Sequence, residues 1–311
     1  MGRLDPTIRE ASLDTHWSRL VEHFTSRTLS RAMDKLPAIA GLATKFMEHS
    51  HAKAPGAIYL AGLWYYKGIN PFGGHTYPTS QLPLGLLWRR AGVESMQSPG
   101  MYRAPSWSWS ALDGPVGLFR LDWPLAYVFK KTDDFRLIPM LEVKSATCLF
   151  DPPGSYSLAQ SAWIIARGPL KRAHINPSGK VAPLQSASHS EYSRTFVRLD
   201  THQGREESSW FGIFDEFSEQ TGVDYVNESL YLLHVAAVVR TSDDGKVTDF
   251  IHHALILEKL GSFNNSDCYR RLGVGWYSSS EAKEAAHLES AYGWSDRKML
   301  KYWEYCQVRL I

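Results

Sequence analysis

The amino-acid sequence predicts an α+β protein, with a short N-terminal helical segment over residues 1–95 and a β-rich sandwich or distorted barrel domain over residues 96–311. Near the N-terminus apolar residues recur at i, i+3, i+4 and i+7, the spacing of one helix face. Beyond Val116 they fall into short alternating runs separated by turn residues, the pattern of strands in a sandwich or barrel. Between the two regimes lies Met101 to Val116, MYRAPSWSWSALDGPV, rich in tryptophan and ending in turn residues.

Asp14 or Thr15 can cap a first helix whose apolar stripe is Trp17, Leu20, Val21 and Phe24. Asp34 can cap a second, with Pro37 tolerated in its first turn and Ile39, Leu42, Ala43 and Phe46 repeating the spacing. After a polar loop from His49 to Ala57, Tyr59–Tyr66 reads as a short apolar helix ended by Gly68, and Leu84–Arg90 as another with Trp88 turned inward. Strands are expected at Leu137–Phe150, Ser161–Leu170, Thr195–Leu199, Trp210–Phe214, Leu230–Val239, His252–Leu260 and Tyr269–Tyr277. Tyr302–Ile311 is expected to close an open sheet edge, with Glu304, Cys306, Val308 and Leu310 on one side. Asp151-Pro152-Pro153-Gly154, Asn176-Pro177-Ser178-Gly179 and Asp243-Asp244-Gly245 carry turn chemistry. Ala173–Arg194 is weakly patterned and predicts a long loop, and Ser280–Ser290 predicts a surface helix.

Within the central stretch, period two puts Trp107 and Trp109 on one face of a strand and Ser106, Ser108 and Ser110 on the other. Burying roughly 150–250 Å² per indole at ~25 cal/mol/Å² contributes about 4–6 kcal/mol apiece as a gross upper bound. Asp113-Gly114 then supplies a turn and Val116 to Phe119 a returning strand, so a tryptophan-rich hairpin is expected. Arg103 and Asp113 bracket it, and the preferred reading is an ion pair that fixes the strand and turn. The alternative is a polar recognition point beside exposed aromatics.

YRAPSWSWSALDGPV is preceded by YLAGLW (Tyr59 to Trp64), by GLLW (Gly85 to Trp88) and by Trp17 to Ala43, which ends in SRTLSRAMDKLPAIAGLA. In content and order these four blocks resemble the region downstream of the core of fungal heterokaryon-incompatibility (HET) domain proteins. The resemblance picks out Tyr59, Gly62, Trp64, Trp88, Arg103, Pro105, Trp107, Trp109, Asp113 and Gly114 as motif positions with a structural role. The family core, with the acidic and aromatic residues on which nucleotide-cleaving activity would rest, belongs before Trp17, where none of its blocks is matched. The resemblance therefore implies a non-catalytic accessory or regulatory module in fungal self/non-self recognition and cell-death control. It would act through contacts with a HET-type or other incompatibility protein.

Hydrophobic residues at 44% and charged residues at 21% belong to an ordinary globular chain. A net charge of +2 argues against a nucleic-acid partner, and the short basic runs Lys130-Lys131 and Arg270-Arg271 read as solvated faces. No apolar run reaches the ~20 residues of a membrane-spanning helix, so no membrane partner and a cytoplasmic location are expected. Cys148, Cys268 and Cys306 are odd in number and widely spaced, as reduced thiols are. The close histidine pairs, His49 with His51 and His252 with His253, lack HExxH or CxxC company and read as loop and strand-end residues, so no metal is expected. No GxSxG, activated cysteine or phosphate-binding glycine loop is found, hence no catalytic residue and no cofactor. Eleven tryptophans nonetheless sustain an alternative from another class, a small-molecule or carbohydrate binder or weak hydrolase with an aromatic cleft in the β-rich half. Its polar groups would be Ser108, Asp113, His234 and His252. It requires at least two of Trp107, Trp109, Trp123, Trp163 and Trp210 to be open on one concave surface.

Overall fold

Helix α1 (Leu13–Thr25) forms where the stripe predicts it, burying Trp17 and Val21 and half-burying Leu20 and Phe24. Helix α2 (Lys35–His51) follows a 3-10 turn at Ala32–Asp34 and buries Leu36, Ile39 and Ala43, while Leu42 stays 46% exposed, off the packed face. The structure is a computed structural model that describes residues 13–51, 56–65, 82–91, 96–119, 134–181, 196–201, 208–216, 230–241, 247–264, 266–279 and 303–311. The turn expected at Asp243–Gly245 and the helix expected at Ser280–Ser290 lie outside these residues, as do Lys130, Lys131 and Trp123.

The helix expected at Tyr59–Tyr66 does not form over Tyr59–Tyr65, the part among the described residues. The chain there forms a tight hairpin, β1 (Ile58–Leu60) against β2 (Leu63–Tyr65), with Leu60 opposite Leu63. Ala61 and Gly62 connect the strands at φ 45° and 101°, and paired positive φ values suit the right-handed twist of a two-residue turn. The segment Leu84–Arg90 is likewise divided: α3 (Leu82–Gly85) is a single turn, and Arg89–Arg90 forms β3, paired with β4 (Val116–Gly117). The returning strand after Asp113 therefore finds β3 and not the tryptophan stretch.

The tryptophan hairpin also gives way to another structure. Trp109–Ala111 is a 3-10 turn capped by the Ser108 hydroxyl, which accepts from the Ser110 N–H at 3.0 Å. Both supposed faces are buried, because Trp107, Ser108, Trp109 and Ser110 are all 0% exposed, so period two carried no information about this stretch. Gln97 meets Asp113 in an isolated antiparallel bridge that holds the turn from outside.

The remainder is the β-rich domain. The strands are β5 (Asp134–Pro139), β6 (Glu142–Asp151), β7 (Leu158–Val181), β8 (Phe196–Thr201), β9 (Ser208–Phe214), β10 (Leu230–Thr241), β11 (Val247–Phe263), β12 (Ser266–Ser279) and β13 (Glu304–Leu310). Leu137–Phe150 divides into β5 and β6 at Met140-Leu141, whose two N–H groups turn aside to the Val235 carbonyl. The loop expected from Ala173 is strand as far as Val181, and the turn expected at Asn176–Gly179 is an irregularity in β7, between the pairs Ile175–Leu199 and Lys180–Val197.

The pairing sequence β7-β8-β9-β12-β11-β10 returns to β7 through Leu170–Ala173, closing a distorted barrel. One core cluster draws Ala173, Leu199, Trp210, Leu232, Ile256 and Leu272, one from each of these six strands, and fills the interior. A second, larger cluster lies between the outer face of the barrel and the helices, and includes Trp17, Trp88, Trp107 and Trp109 with Leu233, Leu255 and Val274. Strand β13 is inserted between β7, to which it is antiparallel, and β12, to which it is parallel, with Val308 and Leu310 buried, Cys306 half-buried and Glu304 exposed.

Candidate functional site

The ten motif positions converge on one hub beside the barrel. At its centre is the Ala61-Gly62 turn, whose two carbonyls serve as acceptors for the aromatic stretch. The Gly62 carbonyl accepts from Trp17 Nε1 and Trp109 Nε1, each at 2.9 Å. The Ala61 carbonyl accepts from the Ser108 hydroxyl and, at 3.3 Å, from that of Ser110. A Cβ on Gly62 would lie 2.5 Å from Trp109 Nε1, so the indole seats directly on the glycine. Tyr59 and Trp64 flank Trp17 edge-on at 5.9 and 5.4 Å, and Trp88 Nε1 donates to the Trp107 carbonyl at 2.8 Å.

Arg103 is buried and spends its guanidinium on three acceptors: the Ser110 carbonyl at 2.6 Å, the Ala32 carbonyl, and Asp113 Oδ1 at 2.8 Å. Lys35 approaches the same carboxylate at 4.0 Å and donates to the Leu112 carbonyl. Burial lowers its ammonium to about 7, with Arg103 pushing the same way and Asp113 opposing. Pro105 is buried and its carbonyl accepts from the Ser108 N–H at 2.9 Å, while Gly114, after Asp113, passes beneath Met96.

A cleft of about 700 Å³ opens where this hub meets the barrel. Met101 to Ser106 form its roof, and its walls are Gln160–Trp163 of β7 and Arg270–Leu272 of β12. Ser106 ties the roof down: its N–H and hydroxyl donate to the Ile311 carbonyl, and its hydroxyl accepts from the Arg271 N–H at 3.1 Å. On the floor, Arg271 Nη1 lies 3.2 Å from Asp215 Oδ2, with side chains 0% and 3% exposed. The Arg271 guanidinium stacks 3.5 Å from the Trp88 ring centroid and donates to the Trp88 carbonyl. Burial raises the Asp215 carboxyl to about 7, against the opposing pull of Arg271. The rim is apolar, with Met101, Tyr102 and Leu260 about half or more exposed.

Arg271 corrects the expectation for the Arg270-Arg271 run. Alternation along β12 leaves Arg270 at the surface, 2.6 Å from Glu258, and turns Arg271 into the protein. Its partner Asp215 follows β9 and carried no sequence signal beyond being an acid next to a predicted strand.

The second polar cluster is inside the barrel. His234 Nε2 and His252 Nδ1 are 3.2 Å apart, with Trp210, Tyr277 and Trp303 packed around them. Burial holds His252 down at about 4 and, with its two histidine neighbours, His234 well below the ordinary range. His253 faces the opposite side, edge-on to Phe119 at 5.0 Å, and burial lowers it to about 3. His252 and His253 are thus 3% exposed mid-strand residues and not strand-end ones. Among the described residues no group of three histidine, cysteine or acidic side chains is arranged to hold a metal ion, and no helix is long and apolar enough to cross a membrane. Ser108 and Asp113 lie in the hub, apart from the histidines.

No family model, no curated protein and no solved structure matches this chain.

Proposed function

We propose that this chain is a non-catalytic recognition module of the HET type, acting in the cytoplasm through protein contacts in self/non-self recognition and cell-death control. One observation carries the proposal. The residues that bear the resemblance are engaged in internal packing, hydrogen bonding or ion pairing, and two of them, Arg103 and Pro105, belong to the roof of an open, apolar-rimmed cleft. Residues spent on a scaffold leave the contact surface as the functional element. Three free cysteines accord with a reducing compartment.

The alternative, a small-molecule or carbohydrate binder, draws on the histidines and aromatics inside the barrel. It has less support, because Trp107, Trp109 and Trp210 are buried, and Trp163 is the one half-buried indole lining the cleft among the described residues. The deciding experiment is co-expression with a full-length HET-type protein in a fungal host, scoring co-purification and cell viability. Association together with altered death supports the module; neither association nor any change in death sinks it.

A further inference from the structure

The cleft is lined by β7 at Gln160–Trp163, next to the stretch that pairs with β13. Strand β13 pairs with β7 from Leu170 back to Ile164, on the edge opposite β6. From Leu158 to Trp163 that same β7 edge has no strand partner among the described residues, although β6 still pairs on the other side. The Tyr102 hydroxyl lies against the Ala162 backbone amide in this gap, a polar side chain where a partner's main chain would sit. A sheet edge without a strand partner that faces a cleft is a template for an added strand, whose main chain would take the place of the Tyr102 hydroxyl.

The charge at the same place is equally specific. The Arg309 guanidinium is held between the Trp163 and Phe263 rings, 4.8 Å from each centroid, and meets no carboxylate among the described residues. The other cations lining the cleft are answered: Arg103 by Asp113, Arg270 by Glu258, and Arg271 by Asp215. Glu216, the remaining acid in the lining, is half-buried and lies within the field of Arg270. Arg309 is therefore a cation fixed in position by aromatic packing and left with its fork unused, as carboxylate recognition requires.

We propose that an extended segment of a partner protein adds as a strand to the β7 edge at Gln160–Trp163, with a carboxylate of that segment on Arg309 and its apolar side chains against Met101, Tyr102 and Leu260. This rests on the reading of the chain as a protein-contact module and names the chemistry of the contact.

The test uses the whole chain and three blocked peptides: acetyl-Val-Glu-Val-Glu-Val-amide, its Gln counterpart, and the Glu peptide with N-methylated valines. Binding is followed by isothermal titration and by tryptophan fluorescence, to which Trp163 reports. The Glu peptide is expected to bind about tenfold more tightly than the Gln peptide, as one charge-assisted contact allows. Arg309→Gln, on the outer face, should erase that tenfold preference while leaving the unfolding transition in place, and Arg309→Lys should restore only part of it. N-methylation should abolish binding, since it removes ladder donors while leaving the carboxylates. Equal binding of Glu and Gln peptides, a preference that survives Arg309→Gln, or tolerance of N-methylation each overturns the proposal. Co-purification in the fungal assay that is undiminished by Arg309→Gln would likewise overturn it while leaving the recognition-module reading intact.

Discussion

Substituting Gly62 by alanine is the sharpest test of the hub. Gly62 sits at φ 101°, where a side chain is strained, and an added Cβ would lie 2.5, 2.6 and 2.8 Å from Nε1, Cε2 and Cζ2 of Trp109. The backbone strain costs about 1–3 kcal/mol and the collision another 1–3 kcal/mol. Relief by moving the turn would weaken two indole hydrogen bonds to the Gly62 carbonyl, each worth about 1 kcal/mol. The total, about 2–6 kcal/mol, reaches the lower end of the whole stability of a domain. Gly56 supplies the control, because its φ is 90° yet nothing lies within 4 Å of the position of its Cβ. Gly56→Ala should therefore cost only the backbone part. Urea unfolding followed by tryptophan fluorescence measures both, and a double-mutant cycle with Trp109→Phe isolates the collision. Trp109 does not seat on Gly62 if the two alanine variants differ by less than about 1 kcal/mol, or if the Gly62→Ala penalty is undiminished in the Trp109→Phe background.

Acid should destabilise the protein through the barrel histidines. Their folded pKa values lie below the unfolded value near 6.5, so the stability they contribute is full above that pH and is lost as pH falls towards about 4 for His252. At pH 5 the loss is about 2 kcal/mol for His252, and His252→Gln should flatten the dependence of the urea midpoint between pH 7.5 and 5 by that amount. Asp215 works in the opposite sense: its raised folded pKa gives stability that is present below about 4 and lost as pH rises through about 7. Asp215→Asn should accordingly remove a decline towards neutral pH. Burial raises the Cys148 thiol to about 12, so the native chain at pH 8 should leave it unlabelled by a thiol reagent that reacts at once in urea; rapid native labelling at Cys148, located by peptide mapping, would contradict its environment. Arg103→Met should cost about 2–4 kcal/mol, because it removes the guanidinium hydrogen bonds to the Ser110 and Ala32 carbonyls, whereas Asp113, 39% exposed, keeps water and Lys35, and Arg103→Lys should recover less than half, since an ammonium cannot reach all three acceptors; a loss below about 1 kcal/mol would show Arg103 to be dispensable.

Periodicity made the long elements legible. Helix α1 and strand β13 lie close to where their spacing put them because each has one buried face, and β10, β11 and β12, buried on both faces over residues 232–238, 251–257 and 271–276, were legible as long, largely apolar runs. Periodicity failed in short segments that are buried on both sides. Tyr59–Tyr65 is buried on both sides and turns at Ala61-Gly62, without the Asn-Gly or Asp-Gly pair that usually marks a two-residue hairpin. Trp107 to Ser110 is buried throughout, so tryptophan and serine alternate without meaning inside and outside. Closure of the barrel was hidden for a different reason: β7 meets β6, β13, β10 and β8 along successive parts of its length, and no local pattern encodes such sharing. The motif positions in the hub were visible as residue types, whereas their principal acceptors, the carbonyls of Ala61 and Gly62, are backbone atoms without a sequence signal.

The hub and the cleft are mechanically one device. Arg103 belongs to both, since its neighbours Met101 and Tyr102 form the rim while its guanidinium is locked to the 3-10 turn and to Ala32. Ser106, at the other end of the roof, joins Ile311 to Arg271. A roof fixed at both ends loses little conformational freedom when something binds beneath it, so more of the contact energy appears as affinity. The buried tryptophans of the hub, Trp17, Trp88, Trp107 and Trp109, thus fix the segment that carries the roof. Loosening the hub should weaken binding at the cleft even where every cleft residue is unchanged, and this coupling separates a preorganised contact surface from a passive groove.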